Sequence, residues 1–258
     1  GSSVIHLNGP MGITTFDIGT WPTAIDSGDV DGDGLAELVA FGEDGTITVC
    51  NVDSGSCMDA KSDGVIGKDV EVADSDGDGF AEPRFLIEHQ GESELIVWNV
   101  DANETGQEES FGWGFNFPVR AIGAGKVSGG ATAEIVMLED GGWWGWTDDK
   151  LHVFAPASEQ FMASHNVDGH TKDVAVGDRN SDDKDEIGIL RDGQQFELLS
   201  MGTDGSISSV STNPVTVGEE AQRIAFVDWN GDSASGRLLN GPELIPGKAV
   251  PVAALMFP

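Results

Sequence analysis

Acidic residues recur along the chain with a fixed internal spacing. Residues 29–37 read DVDGDGLAE and residues 74–82 read DSDGDGFAE, so that carboxylates stand at positions 1, 3, 5 and 9 of each cluster. Glycine at position 6 permits the left-handed backbone that reverses the chain. Hard oxygen ligands at this spacing, completed by the main-chain carbonyl of position 7, suit Ca²⁺. Each cluster therefore predicts a calcium loop.

Three further copies vary this pattern. Residues 178–186 keep it, with an amide at position 3, whereas the copy that begins at Lys126 retains only Glu134 and is expected to bind no ion; the Lys126 ammonium would take the place of the cation. The fifth copy has glycine at position 9, which predicts a weak site. We expect three bound Ca²⁺ ions and a weaker fourth. The predicted ligands are Asp29, Asp31, Asp33, Leu35 and Glu37; Asp74, Asp76, Asp78, Phe80 and Glu82; Asp178, Asn180, Asp182, Lys184 and Glu186; and Asp228, Asn230 and Asp232.

An EF-hand begins with the same D-x-D-x-D-G pattern but requires an acid at position 12 and flanking helices. Position 12 is Ala40 in the first copy and Phe85 in the second, each within an apolar stretch typical of a strand. The sequence therefore excludes the EF-hand. Solvated Asp-Gly turns that bind no ion are the remaining alternative.

The elements around the loops repeat with the same period. The copies begin at residues 29, 74, 126, 178 and 228, which gives intervals of 45, 52, 52 and 50 residues. A short apolar stretch precedes each loop and a second follows it, as expected for four-stranded propeller blades with the loop between the first and second strands. We predict an all-β, single-domain β-propeller over residues 1–258. Its five blades cover approximately 21–67, 68–117, 118–170, 171–217 and 218–258, with a strand in 1–20 closing the ring.

Residues 28–39 and 176–182 resemble the FG-GAP or VCBS repeats of integrin α-subunits and of many secreted bacterial and fungal proteins. This resemblance implies a β-propeller whose hairpin loops bind calcium. It also implies a role in adhesion, in carbohydrate binding or as a module attached to an enzyme. Propellers of this family commonly have seven blades, whereas five copies are visible here.

The chain is strongly acidic, with 45 acidic and 13 basic residues among 258 and a formal net charge of -32. Such a surface repels nucleic acid and anionic membranes. The longest apolar stretch, residues 249–257, is too short to span a bilayer. The composition suits a protein that works outside the cell, where calcium is available.

The two cysteines, Cys50 and Cys57, are predicted to end one strand and begin the next across a six-residue turn. A disulfide at this position would contribute about 2.5 kcal/mol and agrees with an extracellular location.

Trp143, Trp144 and Trp146 stand between the second and third predicted strands of the third blade, flanked by carboxylates. Indole faces beside acids are typical of carbohydrate-binding surfaces, although packing over a blade edge is an alternative. His165 and His170 flank Asp168, a spacing that could hold a metal, but we interpret it as a surface turn near the junction between blades.

Catalytic signatures are absent from the sequence, which has no nucleophile elbow, phosphate-binding loop or H-E-x-x-H motif. We therefore expect a non-enzymatic, extracellular calcium-binding module that binds a carbohydrate or protein ligand at the cell surface. The alternatives are a structural subunit that self-associates into an extracellular assembly, and a polysaccharide-degrading enzyme or its accessory domain.

Overall fold

Regular structure in this chain consists of antiparallel β-sheets. The computed structural model describes residues 4–9, 12–18, 21–61, 65–89, 92–100, 106–112, 118–141, 148–180, 182–192, 195–210, 215–216, 224–227 and 236–239. Within these ranges the one helical segment is a single 3₁₀ turn, Pro156–Ser158. No helix in this part of the chain is long and apolar enough to cross a membrane. The chain forms two compact units, residues 1–119 and 120–258.

The first unit contains a hairpin and two four-stranded sheets, each a meander in chain order. The hairpin pairs β1 (Val4–Gly9) with β2 (Gly12–Asp17). The first sheet comprises β3 (Pro22–Gly28), β4 (Glu37–Gly42), β5 (Thr46–Cys50) and β6 (Cys57–Lys61), and the second comprises β7 (Ile66–Ala73), β8 (Glu82–His89), β9 (Glu92–Val100) and β10 (Gly106–Gly112).

The second unit repeats this arrangement. Its first sheet comprises β11 (Val119–Gly125), β12 (Glu134–Glu139), β13 (Asp149–Ala155) and β14 (Gln160–Val167). The next sheet comprises β15 (Thr171–Gly177), β16 (Glu186–Arg191) and β17 (Gln195–Met201), and both β18 (Ile207–Ser209) and β19 (Val215–Thr216) pair with the outer side of β17. A further pair joins β20 (Ile224–Val227) to β21 (Gly236–Leu239).

The second strand of each sheet forms the core. All six residues of β4 and of β12 are buried. In the first unit Phe41 of β4 packs on Phe85 of β8 with 4.9 Å between ring centroids. In the second unit Val136 and Ile187 belong to one apolar cluster. The prediction of an all-β fold built from four-stranded antiparallel sheets is thus confirmed.

The first sheet carries the predicted disulfide. Cys50 and Cys57 lie directly opposite each other in the pairing of β5 with β6, and their sulfur atoms are bonded at 2.10 Å. Cys50 is fully buried and packs with Phe16 of β2 and with Ile18, the residue after that strand. The disulfide prediction is confirmed.

Candidate metal centre

The acidic loops join the first and second strands of their sheets. Residues 29–36 connect β3 to β4, residues 74–81 connect β7 to β8, and residues 178–185 connect β15 to β16. The degenerate copy, residues 126–133, connects β11 to β12. The glutamate at position 9 is always the first residue of the second strand. The predicted ligands Asp228, Asn230 and Asp232 and the tryptophans Trp143, Trp144 and Trp146 lie outside the described residues.

In the first loop, carboxylates hold the backbone turn together. Asp29 Oδ2 accepts the N–H of Gly34 at 2.9 Å, Asp31 Oδ1 accepts the N–H of Asp33 at 3.1 Å, and Asp33 Oδ1 accepts the N–H of Leu35 at 2.8 Å. Gly34 has a φ of 87°, the left-handed conformation expected at position 6. The three aspartates each offer an oxygen within 4.8 Å of the others.

The second loop repeats these bonds and gathers one more acid. Asp74 Oδ2 accepts the N–H of Gly79 at 3.2 Å, and Asp78 Oδ1 accepts the N–H of Phe80 at 2.9 Å. Four carboxylates contribute oxygens that lie within 4.8 Å of one another. This four-acid group is the largest candidate metal cluster among the described residues. Its members are Asp74, Asp76, Asp78 and Glu82.

The loop at residues 178–185 keeps the turn with two changes. Asp178 Oδ2 accepts the N–H of Asp183, which adopts a φ of 63° where the other two loops have glycine. Asp182 Oδ1 accepts the N–H of Lys184 at 3.0 Å. The amide of Asn180 donates to Glu186 Oε1 at 2.8 Å, so that position 3 contributes a hydrogen bond within the loop.

The glutamate at position 9 has a role that the sequence did not predict. In three of the described loops its Oε2 accepts the backbone N–H of position 2, and in the degenerate loop it accepts that of position 3, at 2.9 to 3.1 Å. These side chains are buried, and Glu37 also accepts the amide of Asn51 at 3.3 Å. The glutamate therefore braces the loop, and only Glu82 also joins a group of loop carboxylates. The four glutamates are Glu37, Glu82, Glu134 and Glu186.

Burial and neighbouring negative charges both raise the pKa of three of these glutamates. Desolvation raises the pKa of Glu37, Glu82 and Glu186, and the carboxylates of the same loop raise it further, against the lowering effect of the backbone hydrogen bond. A cation in the loop would reverse the effect of the neighbouring charges.

The first loop contains an oxygen that suits a cation. Asp29 Oδ1 is shielded from solvent and accepts no hydrogen bond from the described residues. A buried carboxylate oxygen without a donor is costly unless something positive lies beside it. The donor set of the acidic loops, which consists of carboxylate, amide and main-chain oxygens, fits Ca²⁺.

In the degenerate loop, residues 126–133, the turn is held by hydrogen bonds between a serine and the position 9 glutamate. Ser128 donates from its backbone N–H to Glu134 Oε2 at 3.1 Å and from its hydroxyl to Oε1 of the same residue. Lys126 is exposed. A serine–glutamate contact thus stands where the other loops gather carboxylates. The proposed replacement of the cation by the Lys126 ammonium stays a prediction.

Loops of neighbouring sheets interlock in the same way in both units. The N–H of Ala81 donates to the carbonyl of Asp29 at 2.8 Å, and the N–H of Asp185 donates to the carbonyl of Lys126 at 3.2 Å. Both bonds run from position 8 of one loop to position 1 of the preceding loop. A side-chain contact also repeats in both units: the residue at position 7 of one loop lies over the glycine at position 4 of the preceding loop. These pairs are Phe80 over Gly32 and Lys184 over Gly129.

One functional residue of the second loop was missed by sequence reasoning. Arg84 is fully buried, donates to Glu82 Oε2 at 2.9 Å and donates to the carbonyl of Ala73 at 2.6 Å. Desolvation lowers its pKa to about 10, and the charge of Glu82 opposes that change. The signal in the sequence is an arginine two residues after position 9, where the first loop is followed by Val39.

Comparisons with known proteins define the fold. Neither the models of protein families nor the curated proteins give a match. Two crystal structures of BBS1N in complex with ARL6DN, one soaked with mercury and one with lead, match with TM-scores of 0.56 and 0.57 at 13% and 12% identity. Each match covers 88% of this chain but 64% and 65% of the other, so this chain spans less than two thirds of their length. The similarity shows that the fold is β-propeller-like.

Proposed function

We propose that this protein is a calcium-binding β-propeller module with five blades, which binds a ligand and catalyses no reaction. The observation that carries the proposal is the second loop, where the oxygens of Asp74, Asp76, Asp78 and Glu82 converge within 4.8 Å. Four carboxylates at this separation repel one another strongly. One arginine, Arg84, offsets part of that charge from beneath the loop. A divalent cation would neutralise the rest.

Calcium in these loops braces the sheets. The loop ligands all come from one short segment, and the loops are tied to their neighbours by the position 8 to position 1 hydrogen bonds. An ion that fixes one loop therefore also fixes the edge of the next sheet. We propose three such ions, in the loops that begin at Asp29, Asp74 and Asp178, and a weaker fourth at Asp228.

The ligand is a protein or a carbohydrate, bound outside the cell. The protein alternative is supported by the fold, since the similar BBS1N was solved in complex with ARL6DN. The carbohydrate alternative is supported by the sequence with Trp143, Trp144 and Trp146. An extracellular location is supported by the Cys50–Cys57 disulfide and by the net charge of -32.

Calorimetry on the full chain tests the calcium sites. We expect a titration of chelator-treated protein with Ca²⁺ to show at least three ions and a rise in melting temperature, since an ion at a hundred times its Kd adds about 2.7 kcal/mol of stability. A variant with Asp74→Asn, Asp76→Asn and Asp78→Asn should lose one ion. Asp44→Asn is the matched control, because Asp44 makes the same bond to the N–H two residues on but lies outside the loops.

Two outcomes would contradict the proposal: a melting temperature that is the same in calcium and in chelator, or a stoichiometry that the triple variant leaves unchanged. A glycan array probed with and without chelator tests the carbohydrate alternative. Binding that survives chelation with the protein still folded would show that calcium braces the module and does not contact the ligand.

A further inference from the structure

A second group of metal-ligating side chains lies at the opposite end of a sheet from the acidic loops. Asp140 follows β12, Asp149 begins β13 and His170 immediately precedes β15. Each offers one ligand atom, and the three atoms lie within 4.8 Å of one another. Arg120 stands near the start of β11, whereas the loop at residues 126–133 follows the end of that strand. This group is therefore separate from the calcium loops.

The two carboxylates are held in place by groups behind them. Asp149 is fully buried, and its Oδ1 and Oδ2 accept the backbone N–H groups of Gly141 at 2.8 Å and Thr171 at 2.6 Å. Asp140 Oδ2 accepts the Nε–H of Arg120 at 2.9 Å and also its Nη2–H, while Nη1 of the same guanidinium donates to the carbonyl of Thr171. Ligands fixed in this way by surrounding hydrogen bonds are typical of metal sites.

The imidazole lacks the partner that its position requires. His170 Nδ1 is shielded from solvent, accepts or donates no hydrogen bond among the described residues, and lies 3.7 Å from Asp149 Oδ1. That separation is too long for a hydrogen bond. About a third of the side chain as a whole is exposed, at 35%.

The charge of the group also favours a cation. The two carboxylates and the one guanidinium of Arg120 together leave one net negative charge beside the imidazole.

We propose that Asp140, Asp149 and His170 bind one transition-metal dication of the Zn²⁺ class, with a coordination position open to solvent. One imidazole nitrogen and two carboxylate oxygens are ligands that Zn²⁺ accepts, whereas Ca²⁺ prefers oxygen alone. The competing explanation of the same contacts is a protonated His170 that pairs with Asp149 and binds no metal.

Titration of the full chain with Zn²⁺ in saturating Ca²⁺, which keeps the acidic loops filled, separates these alternatives. We expect one Zn²⁺ per chain, and a loss of affinity of about tenfold or more in His170→Ala and in Asp140→Asn. The matched controls are His165→Ala and Asp168→Asn, which remove the same side-chain types nearby and should bind Zn²⁺ as the original chain does. Equal loss in the controls, or no loss in His170→Ala, would overturn the proposal.

Nitrogen NMR of the unsubstituted protein provides a measurement that needs no variant. Zn²⁺ should shift the Nδ1 resonance of His170 at one equivalent and leave that of His165 in place. Co²⁺ should give the intense visible bands of a low-coordinate nitrogen-containing site. A His170 resonance that titrates with pH but does not respond to Zn²⁺ would establish the ion pair in its place and overturn the metal site.

Discussion

Glu134 accepts the backbone N–H of Ser128 at 3.1 Å in the loop that has lost its other acids. In the loop that has kept all of them, Glu82 accepts the backbone N–H of Ser75, one position earlier in the loop, at 2.9 Å. The position 9 glutamate thus closes the turn whether or not the loop can bind an ion. Its retention in the degenerate copy reflects this structural role.

Replacing Glu134 should destabilise the protein independently of calcium. Glu134→Ala removes the acceptor of a buried N–H and of the Ser128 hydroxyl, a loss of about 1 to 3 kcal/mol. Urea unfolding should give the same loss in calcium and in chelator. Glu82→Ala is the comparison, because it removes both the brace and a candidate ligand, and its loss should be greater in calcium. A calcium-dependent loss in Glu134→Ala would refute the structural role.

Gly32 is predicted to be irreplaceable for two separate reasons. Its φ is +74°, and a Cβ at residue 32 would lie 2.4 Å from the ring of Phe80 in the next loop. Gly34 has a φ of +87° but open space around it. Gly34→Ala should therefore cost about 1 kcal/mol for the backbone alone, and Gly32→Ala should cost more.

A double-mutant cycle with Phe80→Ala isolates the contact between the two loops. Removing the ring should restore much of what Gly32→Ala loses and should leave the loss in Gly34→Ala unchanged. Equal losses in Gly32→Ala and Gly34→Ala would show that Phe80 moves aside freely and that the loops are not interlocked.

Arg84 should weaken calcium binding in the second loop while it stabilises the ion-free protein. In Arg84→Met the buried carboxylate of Glu82 loses its charged partner, which should cost about 3 kcal/mol in chelator. The gain in stability on adding calcium should be larger in this variant than in the original chain, because a positive charge beside the loop has been removed. Arg120→Met is the control, since that pair with Asp140 is partly exposed and should cost at most about 1 kcal/mol. An unchanged calcium affinity in Arg84→Met would exclude coupling between the arginine and the ion.

The disulfide offers a simpler stability test. The Cys50→Ala, Cys57→Ala variant should lose about 2.5 kcal/mol, because the covalent bond restricts the unfolded chain across a short loop. Chemical unfolding of the variant and of the reduced original chain should agree. If the variant were as stable as the oxidised protein, the unfolded hairpin would be equally restricted without the bond.

Local pattern was sufficient to predict the strands and the hairpin loops. Apolar stretches such as residues 38–41, turns rich in glycine and aspartate, and the spacing of Cys50 from Cys57 are all properties of neighbouring residues. The regular interval between copies predicted the four-stranded sheets, because a period of that length is typical of a four-stranded propeller blade.

Contacts between sheets could not be predicted in the same way. The packing of Phe80 on Gly32 joins two different copies, whose residues the sequence places tens of positions apart. The bracing by Glu37 was hidden because a carboxylate at position 9 serves equally as a metal ligand and as an acceptor for the N–H of Val30. The histidine His170 was assigned to a surface turn because Asp149, its neighbour in space, stands 21 positions away.

Asp26 joins two adjacent sheets and should make their stability depend on pH. Its Oδ2 accepts the N–H of Val72 at 2.7 Å, from β3 to β7. Desolvation by burial raises its pKa to about 7, and the charge of Asp69 adds to the rise, against the hydrogen bonds from the N–H groups of Ser27 and Val72. In the unfolded chain the carboxyl titrates near 3.9.

The sign of the effect follows from this difference. Between about pH 4 and pH 7 the folded protein holds a proton that the unfolded chain has released, so the contribution of Asp26 is fully present below pH 4 and is lost as the pH rises to 7. Asp26→Asn should remove a slope of at most about 1.4 kcal/mol per pH unit, measured as the difference in unfolding free energy between the two proteins in chelator. Asp204→Asn is the control and should leave the slope between pH 4 and pH 7 unchanged, because the hydroxyl and the N–H of Ser206 lower the pKa of that exposed carboxyl and confine its effect to lower pH. A difference between the original chain and Asp26→Asn that stays constant from pH 4 to pH 7 would show that the carboxyl of Asp26 remains ionised between the two sheets.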